Sequence, residues 1–91
     1  MTSARRRDRT RQQADDDAGR RWLAIAEQVA TRRRERELSQ HELAQLCATT
    51  QSAIARIERG ARPARLDTLL RIANALDCEL LVELRPRTVP S

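Results

Sequence analysis

Gln51, Ser52 and Arg56 lie within six residues of one another, and each carries a hydrogen-bonding group of a different shape. A glutamine carboxamide holds one donor and one acceptor in a plane, which matches the edge of adenine. An arginine guanidinium presents a fork of donors, which matches the edge of guanine, and a serine hydroxyl can do either on a short stem. This is recognition chemistry rather than bond-breaking chemistry. The other reactive side chains are sparse: His41 is the single histidine, and Cys47 and Cys78 are far apart. No glycine-rich phosphate loop, zinc-ligand set or nucleophile motif is present. No enzyme activity, cofactor or metal ion is therefore expected, and His41 is read as an exposed residue near phosphate.

Reading base edges requires a helix that holds these side chains outward. Ser39 and Glu42 fit the S-x-x-E capping box, so a helix is predicted from about Gln40, with Leu43, Ala44 and Cys47 as its apolar stripe. Thr49 and Thr50 interrupt the stripe. Thr50 is placed as the cap of a second helix whose inward residues are Ala53, Ile54 and Ile57, and Gly60 supplies its stop. Two short helices about a tight break, the second bearing polar residues at its N-terminal end, set a recognition helix in the major groove of DNA. Gln51, Ser52 and Arg56 are then candidates for base edges, and Gln40, Thr50, Arg59 and Arg62 for backbone phosphates.

The run Leu38-Ser39-Gln40, Glu42-Leu43-Ala44, Ile54, Ile57-Glu58-Arg59-Gly60, then Leu69, Ile72-Ala73 and Ala75-Leu76, resembles the lambda-repressor-like helix-turn-helix family, the phage repressor and Cro class. The resemblance spans roughly Ile25 to Leu76 and implies a four-helix DNA-binding domain. In that family an arginine at the position of Arg33 pairs with the glutamate at the position of Glu58, so the resemblance implies a structural bridge between them; the alternative is a solvated Arg33 within the run Arg32 to Arg36. The sequence departs from the family where glycine is usual, at Glu37 and Ala48, and at Ala55, often a serine or threonine.

The flanking segments complete the domain plan. Residues 1–17 hold five arginines and three consecutive aspartates with almost no large apolar side chain, so disorder is expected there. The functional alternative is a basic arm on DNA, which Asp15, Asp16 and Asp17 oppose; these favour the N-terminus of a following helix instead. Residues 18–77 form the DNA-binding domain, with the helix-turn-helix at about 40–59. Its opening helix carries Trp22, Ile25, Ala26, Val29 and Ala30 at helical spacing to about Arg36. A fourth helix at about Arg65 to Leu76 points Leu66, Leu69, Ile72, Ala73 and Leu76 inward.

From Cys78 the period changes. Leu80, Val82 and Leu84 alternate with Glu79, Leu81, Glu83 and Arg85, which predicts a strand over 78–86 ended by Pro86, before a tail at 87–91. The L-L-x-x-L spacing also permits a fifth helix. A lone strand needs a partner for its backbone groups, so pairing across a two-fold axis predicts a homodimer with Leu80, Val82 and Leu84 at the interface. This layout looks like HipB-type and related antitoxins, in which a two-stranded sheet joins the subunits.

The fold class expected is all-α, with one short C-terminal β-strand. All 18 basic residues are arginine and the net charge is +5, which suits a double-stranded DNA partner. Both cysteines fall in apolar patterns and are read as free thiols, and no apolar run approaches a membrane span, so a cytoplasmic setting is expected. The function expected is a dimeric transcriptional regulator, most simply a repressor of a palindromic operator. The alternative is an antitoxin that neutralises a toxin protein and autoregulates its operon.

Overall fold

The computed structural model describes residues 3–61 and 63–88, with side chains from Arg9 onward. Four helices follow one another: α1 (Ser3–Glu35), α2 (Gln40–Leu46), α3 (Gln51–Arg59) and α4 (Leu66–Ala75). The two starts marked by hydroxyl residues form as their chemistry dictates. Ser39 Oγ accepts the Glu42 N–H at 3.0 Å while the Glu42 carboxylate accepts the Ser39 N–H at 2.9 Å. Thr50 Oγ1 accepts the Ala53 N–H at 3.1 Å. Each of these bonds satisfies a backbone donor that the helix itself leaves orphaned.

All four helices end the same way, in a Schellman turn with a left-handed residue just beyond the last turn. After α2, Thr49 N–H donates to Ala44 O at 2.9 Å and Ala48 N–H to Gln45 O at 3.2 Å. The corresponding pairs follow α1 (Leu38 to Arg33, Glu37 to Arg34), α3 (Ala61 to Arg56, Gly60 to Ile57) and α4 (Cys78 to Ala73, Asp77 to Asn74). Only the third of these turns uses glycine: φ is 70° at Gly60, but also 57° at Glu37, 53° at Ala48 and 54° at Asp77. Gly60 is required twice over, since a Cβ there would lie 2.7 Å from Leu23 Cδ2. Glu37 and Ala48 stand where the family uses glycine, and they adopt the conformation glycine would, at about 1 kcal/mol each. Ala48 is exposed, so Ala48→Gly loses no packing and is expected to raise stability by about 0.5–1 kcal/mol, measurable as a higher urea midpoint at unchanged slope.

The core lies where α1 crosses α2, α3 and α4. Leu43, Ile54 and Ile72 are fully enclosed, ringed by Trp22, Val29, Ala44, Cys47, Ile57 and Leu76. Arg36, just past α1, donates to the carbonyl of Leu76 at 3.3 Å and so ties the end of α1 to the end of α4. Leu66, expected inward, is exposed: it sits in the first turn of α4, ahead of the point where that helix meets its neighbours.

The largest difference from expectation is α1, which begins at Ser3 rather than near Ala18, so that residues 3–17 are helical where disorder was expected. Burial does not hold them, for side chains from Arg9 to Arg21 are exposed apart from the half-buried Asp17. Local chemistry does: no proline or glycine precedes Gly19, arginine, glutamine and alanine are good helix formers, and Asp17 pairs with Arg20 one turn on. The packed half of α1 supplies the nucleus, and these residues extend it. Residues 78–88 form neither a helix nor a paired strand. One chain offers them no second strand, so the expected pairing is a matter between two copies. No helix among the described residues is long and apolar enough to cross a membrane.

Candidate nucleic-acid interface

At 3.6 residues per turn, Gln51, Ser52, Ala55, Arg56 and Arg59 fill a sector of α3 about 140° wide, and Ile54 and Ile57 lie opposite. Gln51, Ser52, Arg56 and Arg59 are exposed, while Ala55, near the middle, is half-buried and presents only a methyl group. Thr50 is exposed at the cap. Its oxygen is engaged by Ala53, which leaves its O–H available to a ligand. The sector therefore carries every base-edge candidate together with Arg59, at the end of a helix whose first N–H groups point outward.

What fixes α3 in that attitude is a bidentate ion pair. Arg33 Nε donates to Glu58 Oε2 at 2.7 Å and Nη2 donates to Glu58 Oε1 at 3.0 Å, with the two side chains only 12% and 6% exposed. The third arm, Nη1, donates to the Leu38 carbonyl at 2.8 Å. Gln40 Nε2 adds a bond to Glu58 Oε1 at 3.1 Å. One carboxylate thus gathers α1, α2 and α3. The same bond limits Gln40, read from sequence as a phosphate contact: its carboxamide is tethered inward, with one N–H left for another partner.

Burial pushes the Glu58 carboxyl upward, but the hydrogen bonds from Arg33 and Gln40 outweigh it and hold the group below its ordinary range. The Arg33 guanidinium is raised by the same bond. A depressed carboxylate contributes stability above the unfolded value of about 4.3 and loses it as pH falls through the folded value. Acid unfolding is therefore expected to begin below about pH 4.5, and Glu58→Gln should flatten that limb. Glu42, held low by its bonds to Ser39, adds to the same trend. Thermal midpoints taken between pH 3 and pH 6 would check it.

The remaining residues singled out in the sequence are more dispersed. His41 is exposed at the start of α2. Arg62 lies outside the described residues. Cys47 is buried, which raises its thiol, and Cys78 is half-buried, donating to Leu76 O at 3.4 Å; both are free. Among the described residues no cluster of three histidines, cysteines or acids could hold a metal ion. Leu80 lines a groove between α1 and α4, whereas Val82 and Leu84 stand in solvent at 72% and 101% exposure.

Sequence inspection missed one feature. Arg56 shares a cleft of about 420 Å³, between α3 and the start of α4, with Thr49, Arg65 and Thr68. Two guanidinium groups and two hydroxyls around one cleft suit phosphate oxygens beside a base-reading arginine. Nothing in the local pattern marks Arg65, which occupies the cap position of α4 without capping it.

Comparison with known proteins follows the same lines. Residues 29–82 match the helix-turn-helix family. Among solved structures, the chain is similar to the restriction-modification controller protein C.AhdI from Aeromonas hydrophila. The TM-score is 0.66 at 32% identity, over 69% of this chain and 91% of that one. No curated protein sequence matches.

Proposed function

Since the chain belongs to the lambda-repressor-like helix-turn-helix family, we propose that it is a transcriptional regulator that binds a palindromic operator as a homodimer and represses from it. The observation that carries this reading is the outward sector of α3. Gln51, Ser52 and Arg56 are presented together on a helix locked from behind by Arg33 and Glu58. Similarity to a controller protein supports regulation of transcription as the primary task, ahead of binding a toxin. Arg59, Arg65 and the turn around Thr50 supply phosphate contacts on either side of the base-reading residues. Dimerisation through the C-terminal segment is supported by its exposed apolar side chains, since burying a valine or leucine stabilises by about 1.5–3 kcal/mol.

Gln51→Ala tests the assignment directly. It is expected to relax base preference at one position of each half-site and to weaken operator binding by about 1–3 kcal/mol, with nonspecific affinity nearly unchanged. Footprint titrations on operator and random DNA would measure both. Equal weakening on the two would remove Gln51 from the base-reading set.

A further inference from the structure

The C-terminal segment carries enough pattern to fix how two copies meet. Leu80 lies in the groove formed by Ile25, Val29, Leu69, Ile72 and Leu76, a cavity of about 390 Å³ that the rest of its own chain leaves open. Glu83 and Arg85, two residues apart, are hydrogen-bonded to each other through Arg85 Nε at 2.9 Å, so odd-numbered side chains share one side of the segment. Strand alternation then puts Leu80, Val82 and Leu84 on the other, towards the groove.

In an antiparallel pair about a two-fold axis perpendicular to the strands, one residue lies on the axis and every other residue faces a fixed counterpart. With Leu81 on the axis, Glu79 would face Glu83 of the partner. With Glu83 on the axis, it would face its own copy, and Leu80 would face Pro86, which has no N–H to donate. With Val82 on the axis, Glu79 faces Arg85 of the partner on the outer side, and Leu80 faces the partner's Leu84 on the inner side. Only this last register matches opposite charges and keeps three apolar residues together.

We propose that the two copies pair in this register, with Val82 on the two-fold axis. Leu84 of each copy is carried beside Leu80 of the other and closes the groove between α1 and α4. The surface is self-complementary: an apolar seat on the helical domain, an apolar strand face from the second copy, and an ionic pair outside it repeated by symmetry. The proposal rests on the homodimer stated above and adds its register.

Single cysteines in a Cys78→Ser background give the test, because Cys47 is buried and does not compete. Val82→Cys is expected to form a covalent dimer under mild oxidation, since residues directly opposed across an antiparallel pair lie about 4.5–5.5 Å apart, within disulfide reach. Leu81→Cys and Glu83→Cys meet their own copies only diagonally and should not. Independently, Glu79→Arg and Arg85→Glu should each weaken the dimer by about tenfold or more, and the double exchange should restore it. A dimer in light scattering that cross-links through Leu81→Cys or Glu83→Cys instead, or that ignores the charge exchange, would overturn the register and leave the dimeric regulator standing. A chain that stays monomeric at micromolar concentration would overturn both.

Discussion

Glu58→Ala is expected to lower the stability of the domain by about 3 kcal/mol or more. The loss of one ion pair does not explain a figure of that size. The deletion leaves the Arg33 guanidinium in a site where its side chain is only 12% exposed, with two of its donors unmatched, and it frees the Gln40 carboxamide as well. Breaking such a pair from one side strands a charge, whereas replacing both members by apolar residues of similar volume can be nearly neutral. Chemical denaturation of the single variants Glu58→Ala and Arg33→Met, and of the double, separates these terms: the double should recover much of the loss. An unchanged urea midpoint for Glu58→Ala would reduce the bridge to a surface contact. Operator binding should suffer beyond the loss of folded protein, because Glu58 lies on α3, two turns beyond Gln51.

The second large effect is on assembly. Val82→Asp, or truncation after Asp77, is expected to give monomers that keep their helical circular dichroism. The helices draw their core from residues before Asp77, and an aspartate at the interface would be buried without a counter-ion. Operator affinity should then fall about 10²- to 10⁴-fold, because two half-site contacts held about 34 Å apart become two separate binding events, while nonspecific affinity changes far less. Light scattering and a titration on operator against random DNA give the two readouts. A truncated chain that remained a dimer would move the interface to the helices.

The legible parts of this fold share a property: they depend on residues adjacent in sequence. The Ser39–Glu42 box and the Thr50 cap were readable because a side chain three residues away completes them, and the stop at Gly60 because glycine is the usual residue at such a turn. The turns after α1, α2 and α4 escaped the same rule, since glutamate, alanine and aspartate there adopt a conformation the rule reserves for glycine. Residues 3–17 posed a competition that composition alone does not settle. Low apolar content points to disorder, whereas helix propensity and the absence of breakers favour extending α1. The outward direction of Leu66, the inward tether of Gln40 and the cleft joining Arg56 to Arg65 are tertiary facts, set by which element lies opposite. Pairing of Arg33 with Glu58, separated by 25 residues, could be anticipated from family resemblance but from no periodicity in the chain.

Trp22 gives the molecule an optical property. It is the only tryptophan, and the sequence contains no tyrosine or phenylalanine, so the whole near-ultraviolet signal comes from one side chain. That side chain is 5% exposed within the core, and its indole N–H meets no acceptor among the described residues. Its emission therefore reports the packing of α1 on the other helices, without the overlapping chromophores that blur such signals in most proteins. The outward sector of α3 contains no chromophore, so DNA binding that leaves the core intact should pass almost unseen in fluorescence, whereas any variant that loosens the domain should shift the spectrum. The same titration can in this way tell a defect in recognition from a defect in folding.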